Sequence, residues 1–327
     1  MVNLQTQFNK FYDVIRIDFD NNQELRDKRD LIVKDLRSGL KRLIPVYIPT
    51  FSSFNQGSYD LATGTYPISG NDYDIDVGIV FNFSKNLYQP VQVKEWVCNA
   101  LRTSVRTVEI KRPCVRVQYH KNGAKWLHVD LAIYSSDKDY TGNEVNHIAK
   151  GFVGSSENNK FWEISEPFQL KELLKIKFTN DSYREQFRRI IRYLKRWKDY
   201  NFSSAGRGKP TGIALTACCY ELFMPQKDYF YNQSTYSYVY QDNDLSALLY
   251  VVSRIIGTFN WNNQISIKLP VQPYNDLFEK MTPTQMEVVK VKLITLHNTL
   301  NAASREYNIL NACTRLQKVF GQDFPGF

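Results

Sequence analysis

The chain has 327 residues, of which 43% are hydrophobic and 23% charged, so it reads as globular protein large enough for two domains or one bilobed body. Five cysteines, Cys98, Cys114, Cys218, Cys219 and Cys313, show no C-x-x-C spacing, which argues against both a disulfide framework and a structural zinc. The net charge of +9 favours a polyanionic partner: nucleic acid, nucleotide or an anionic surface. No apolar run approaches the roughly 20 residues of a membrane span. The first residues lack the apolar core of a signal peptide, so the expected location is the cytosol.

In chain order, "NNQELRDKRDLIVKDLRSGLKRLIP" sets Leu25, Ile32, Leu36, Leu40 and Leu43 at helical spacing, with Pro45 closing the helix. A loop rich in Gly, Thr and Ser follows and carries Gly57-Ser58. It leads into an apolar run in which Asp74 and Asp76 flank Ile75, ahead of Val77, Ile79, Val80 and Phe81. On a strand both carboxylates share one face, about 7 Å apart at the backbone. Asp72 has the same parity but falls in the loop behind Gly70 and Asn71. "VQVKEWVCNALRTS" predicts a second helix, and "CVRVQYHKNGAKWLHVDLAIY" a hairpin turning at Asn122-Gly123. In its second strand His128, Asp130 and Ala132 share one face, while Val129, Leu131 and Ile133 share the other.

From about residue 160 the periodicity becomes helical. "SYREQFRRIIRYLKRWKDY" carries Phe187, Ile191, Leu194 and Trp197 on one side and Arg188, Arg192 and Lys195 on another. "SSAGRGKPTG" breaks the chain before the short apolar helix "IALTACCYELF". "DNDLSALLYVVSRIIGTF" is a further helix, and the stretch from Thr282 onward supplies one long helix or two. The expected organisation is an α/β core over 1–160 that includes the N-terminal helix, and a helical domain over 161–327.

Two carboxylates on one strand face repel, and burying them uncompensated costs several kcal/mol. A divalent cation such as Mg²⁺ resolves the conflict, because it takes oxygen ligands while keeping waters and substrate phosphates. Asp130, an acid interrupting an apolar strand, is a third candidate ligand. Three acids from neighbouring strands suit two metals about 3.5–4 Å apart, the arrangement of nucleotidyl transfer. Alone, Asp-x-Asp also marks a solvated strand end, and Asp130 could face water from an edge. Gly57 would let backbone approach a phosphate, and the Ser58 hydroxyl could donate to it.

The stretches "QGSYDLATGTYP…NDYDIDVGIVF" and "VDLAIY" together resemble the nucleotidyltransferase superfamily that shares the DNA polymerase β palm. Within it the similarity is closest to the bacterial cyclic-oligonucleotide synthases of anti-phage signalling (CD-NTases, the CBASS system), relatives of cyclic GMP–AMP synthase and of DncV. "RRIIRYLKRWKDY" and "GKPTGIALTACCYELF" extend the similarity into the helical half. The resemblance implies an α+β fold, a bilobed palm with a mixed sheet packed on a C-terminal helical lobe. It implies Asp74, Asp76 and Asp130 as catalytic residues and ligands of two Mg²⁺ ions, with Mn²⁺ able to substitute. Gly57 and Ser58 would hold the donor triphosphate, Lys195 would reach its outer phosphates, and Thr211 would stand in for a Ser of the family. The substrates would be NTPs, and a separate effector protein would read the cyclic product in the bacterial cytoplasm. Neither a membrane nor an obligate nucleic-acid activator is expected, the zinc ribbon of the animal sensor being absent.

Two other readings compete. The same palm could tail an RNA or modify a small molecule. Alternatively, a non-catalytic nucleic-acid-binding protein could use Arg188, Arg192 and Lys195 as a phosphate footprint, which leaves the three acids unexplained.

Overall fold

Alternation along the central strands decides how the molecule is layered. The computed structural model describes residues 2–18, 22–44, 49–68, 70–138, 141–203 and 208–326. Its main sheet contains β1 (Phe51–Gln56), β2 (Tyr73–Phe81), β3 (Thr107–Ile110), β4 (Val115–Lys121), β5 (Ala124–Lys138), β6 (Glu144–Lys150) and β7 (Phe161–Ile164). The order is β1-β2-β5-β4-β3, with β6 pairing the far end of β5 and β7 pairing β6. Only β2 and β5 pair in parallel; the other contacts are antiparallel, so the sheet is mixed.

On one face Ile75, Val77 and Ile79 of β2 join Val129, Leu131 and Ile133 of β5 and Val115 and Val117 of β4, all buried. Two helices, α1 (Gln5–Ile15) and α2 (Gln23–Leu43), precede the sheet, and α3 (Gly57–Asp60) and α4 (Pro90–Leu101) lie within it in sequence. The apolar sheet face packs against α2 and α4. Asn22 caps α2 by accepting from the Leu25 amide, and Leu25, Ile32, Leu36 and Leu40 form its buried stripe. Gly39 lets α2 press on α4, since a Cβ there would lie 2.2 Å from the Ala100 carbonyl oxygen. The helix ends at Leu43, and Pro45 lies outside the described residues.

Beyond the sheet come α5 (Pro167–Ile176), α6 (Asp181–Asn201), α7 (Gly212–Leu222), a two-stranded hairpin of β8 (Lys227–Asn232) and β9 (Ser237–Asp242), α8 (Asp244–Gly257), α9 (Pro283–Ser304) and α10 (Ile309–Phe320). The C-terminal stretch is thus two helices. A second core joins Phe187, Ile190, Ile191, Leu194 and Trp197 of α6 to residues of α7, α8, α9 and α10. Leu4, Phe8, Phe11 and Ile15 belong to this core as well, with Phe11 stacked on Tyr193 at 5.3 Å. Helix α1, although within the span expected for the α/β core, packs with the helical half. The sheet, in turn, runs on to Ile164, past the expected division at 160.

The basic face of α6 is not a solvated stripe. Arg192, Lys195 and Arg196 are buried and donate to backbone carbonyls of the loop before β2, those of Gly64, Thr63 and Tyr66 respectively. Arg188 alone of the expected stripe lies outward, paired with Glu185 at 2.7 Å. Its neighbours Arg192 and Lys195 bond backbone of the loop before β2 instead of lying on the surface.

Candidate active site

The cluster of acids is built by register. β2 and β5 set Asp74 opposite His128 and Asp76 opposite Asp130. β4 adds Arg116 opposite Asp130 and Gln118 opposite His128, and β1 adds Gln56 opposite Asp76. Directly paired residues point to the same face. Two polar rows therefore cross the sheet, Gln56–Asp76–Asp130–Arg116 and Asp74–His128–Gln118. Ligand atoms of Asp74, His128 and Asp130 all lie within 4.8 Å of one another.

Each carboxylate meets a different environment. Asp130 receives a two-pronged bond from Arg116, Nε to Oδ1 at 2.8 Å and a terminal nitrogen to Oδ2 at 2.7 Å. That bond holds the guanidinium pKa above its ordinary value, against the effect of burial. Asp74 is half exposed, with Oδ1 2.9 Å from His128 Nε2. The other ring nitrogen of His128 lies 2.8 Å from Asp72 Oδ2, which also accepts from Gln118 Nε2 at 2.9 Å. Burial alone would lower the imidazole, but the hydrogen bond and charge of Asp74 outweigh it and raise His128 to about 9. With a carboxylate at each nitrogen, His128 is an imidazolium at neutral pH. Burial opposes ionisation of Asp72 too, yet the bonds from Gln118 and His128 hold its pKa below the usual range.

Asp76 is the outlier. Among the described residues it has no ion-pair partner, and burial together with the Asp74 and Asp130 carboxylates pushes its pKa up to about 8. A carboxylate raised first by burial and then by two like charges suits a divalent cation, whose charge would offset both. The oxygen-rich donor set fits a hard cation of the Mg²⁺ or Mn²⁺ type.

Gly57 opens the one-turn helix α3 directly after β1, at φ +66°, and a Cβ there would stand 1.9 Å from Asp76 Oδ2. Only glycine satisfies both the backbone angle and the contact. Ser58 follows within that turn, and its carbonyl accepts from the Thr63 amide at 2.9 Å, folding the loop back. Lys195 reaches this loop from α6, donating to Thr63 O at 3.1 Å and Thr63 Oγ1 at 3.0 Å. Burial, then the like charges of Lys198 and Arg192, lower Lys195 to about 7, with Asp199 and Asp76 offsetting part of the effect. Thr211 caps α7 by accepting from the Ala214 amide. The next residue, Gly212, sits beside the lysine, its Cβ position 3.5 Å from Lys195 Cε. The structure thus sets the three aspartates on one face of adjacent strands, puts Gly57 against Asp76 with Ser58 next in the chain, and links Lys195 to the same loop. Thr211 joins only through its neighbour.

His128, Arg116 and Asp72 complete the cluster and were not read from sequence as site residues. The signal for His128 was its shared face with Asp130, two residues on.

A mixed sheet carrying three acids on adjacent strands, backed by a glycine-led turn, is the arrangement expected of a nucleotidyltransferase palm. Residues 50–134 match the family model for the nucleotidyltransferase domain of DncV-like cyclic GMP-AMP synthases, a span that contains Gly57, Ser58, Asp74, Asp76 and Asp130. The fold agrees over the whole chain. Vibrio cholerae DncV cyclic AMP-GMP synthase superposes with a TM-score of 0.72 at 16% identity, covering 99% of this chain and 97% of that one. Its complex with the linear intermediate 5′-pppA(3′,5′)pG gives 0.72 at 17%, covering 97% of each. The Bradyrhizobium diazoefficiens CD-NTase CdnG, in complex with GTP, gives 0.72 at 13%, covering 97% of this chain and 95% of that one. Residues 50–134 are thus similar to a DncV-like nucleotidyltransferase domain, and the fold of the chain is that of the solved DncV and CdnG structures.

Proposed function

We propose that this enzyme joins NTPs without a template into a cyclic di- or trinucleotide that serves as a second messenger in anti-phage defence. The observation that carries the reading is the match over residues 50–134, because that span holds every acid of the cluster and the glycine-led turn against it. Asp74, Asp76 and Asp130 would hold two divalent ions. Such ions neutralise charge on the attacking and leaving oxygens of an in-line displacement. Gly57 brings backbone close enough to meet a triphosphate, and the Ser58 hydroxyl donates to it. Lys195, already tied to the same loop, supplies charge toward the outer phosphates, and Thr211 orders the start of α7 beside it. Asp130, next to the attacking ribose hydroxyl, accepts hydrogen bonding from it as the oxygen bonds the α-phosphorus and pyrophosphate leaves. A second such displacement within the linear intermediate closes the ring. Most of the rate comes from positioning and charge neutralisation. A palm over about 1–160, extended by β7 and with helix α1 packed into the other core, followed by a helical lobe, is part of this proposal; the lobe would wall the pocket.

The test is mass measurement of products made from the four NTPs with Mg²⁺ or Mn²⁺, after phosphatase treatment. A ring contains only phosphodiesters, so the expected product resists phosphatase and weighs one water less than the linear 5′-monophosphate oligomer. Products that phosphatase converts wholly to linear dephosphorylated chains would leave a nucleotidyltransferase that does not cyclise.

A further inference from the structure

We propose that Arg116 is a built-in competitor for the metal site: its guanidinium occupies Asp130 when no divalent cation is bound, and a cation can bind Asp130 in full only by displacing it. This rests on the reading of the three aspartates as metal ligands, and concerns how this chain controls access to them.

The geometry is specific. Both oxygens of Asp130 are taken by one guanidinium, at 2.8 and 2.7 Å, in the fork-to-fork arrangement that gives the strongest side-chain pairing. The pair is not a surface bridge, since the side chains are 33% and 14% exposed. The β4–β5 register holds Arg116 directly across from Asp130, so the guanidinium needs no rearrangement to reach it. The other two acids differ. Asp74 engages only Oδ1, with His128, and Asp76 has no ion-pair partner among the described residues. Asp74 and Asp76 are therefore open to a divalent ion as they stand, whereas Asp130 is not. Arg116 holds the third carboxylate in place and neutral overall, which keeps three like charges from repelling in the metal-free protein. It is a positioning residue: it acts on the site through Asp130.

The experiment is direct Mn²⁺ binding to the full chain without nucleotide, following free Mn²⁺ by electron paramagnetic resonance, for the wild type, Arg116→Gln, Arg116→Lys and Asp76→Asn. Removing the competitor should tighten Mn²⁺ in Arg116→Gln by roughly five- to tenfold, the scale of one partly buried ion pair. Arg116→Lys, which keeps the charge but loses the fork, should fall between the two. In EDTA, Arg116→Gln should melt below the wild type, and added Mn²⁺ should raise its Tm by more. Should Arg116→Gln fail to fold, Arg116→Lys carries the test by itself. Unchanged or weaker Mn²⁺ binding in a folded Arg116 variant overturns the proposal, and is the result expected if Arg116 served only substrate phosphates. Asp76→Asn separates the two levels: it should lose Mn²⁺ binding, and if it binds like the wild type the metal-site reading fails, and the proposal with it.

Discussion

The two charged regions of the molecule handle like charge in opposite ways. On α6, Arg192, Lys195 and Arg196 are buried and each donates to a backbone carbonyl of one loop. On the adjacent strands, Asp74, Asp76 and Asp130 share one face; His128 and Arg116 pair with Asp74 and Asp130, while Asp76 has no ion-pair partner among the described residues. Stripes of one sign thus mean different things according to what they bury against. The basic one fastens the loop before β2 to the helical half, and the acidic one is assembled at a cost that the fold alone does not offset. Burial of a charge without a partner is tolerated where function requires it, so the unmatched residue is the informative one.

Four experiments sharpen that contrast, beginning with the largest effect. Asp130→Asn should retain NTP binding, since the other pair holds most of the donor, yet lower turnover on the order of a hundred- to a thousandfold. Full activity in that variant would remove Asp130 from the site. Gly57→Ala places a methyl where Asp76 Oδ2 now stands, at a backbone angle unfavourable to alanine. A displacement of about 1 Å there should lower kcat roughly a hundredfold. Near wild-type kcat in Gly57→Ala would show that the contact is incidental.

Lys195→Met removes a buried cation that donates to two oxygens of Thr63. If Lys195 also meets triphosphate, the apparent KM for NTP should rise about tenfold, as expected for one charged contact, together with a lower Tm. A lower Tm with unchanged KM would confine Lys195 to fastening the loop. The smallest effect concerns pH. Asp76 has a folded-state pKa of about 8 against an ordinary 3.8, so the folded protein binds the extra proton between those values. Its contribution to stability is present at low pH and is lost as pH rises through that window. In EDTA, Asp76→Asn should therefore gain Tm over the wild type as pH increases from 5 to 8, by a few degrees. A constant difference across that range would contradict the assigned shift.

The parts of this site that were legible in sequence are those fixed by local pattern. Asp74 and Asp76 follow from alternation along one strand, and Asp130 from an acid amid Val129, Leu131 and Ile133. Arg116 was hidden for a definite reason. Counting back from the Asn122-Gly123 turn pairs Arg116 with Val129, not with Asp130. A bulge beside Tyr119 and His120 shifts the register by one residue, restoring the alternation of both strands and bringing Arg116 opposite Asp130. Nothing in local composition marks that extra residue. Likewise, the spacing of Arg188, Arg192 and Lys195 identified one helix face but not what covers it, because burial against the loop at Thr63–Tyr66 is a tertiary fact. Helix α1 escaped notice because its stripe of Leu4, Phe8, Phe11 and Ile15 is short and interleaved with polar residues, and only packing on α6 gives it a partner.

The central claim is that the three strand-borne aspartates are the catalytic metal site, and pyrophosphate release from NTPs with Mg²⁺ tests it most directly in Asp74→Ala/Asp76→Ala. Removing two like charges relieves repulsion in the metal-free protein, so the double variant should fold with an unchanged circular dichroism spectrum and release no pyrophosphate above background. Wild-type pyrophosphate release from that variant would contradict the assignment.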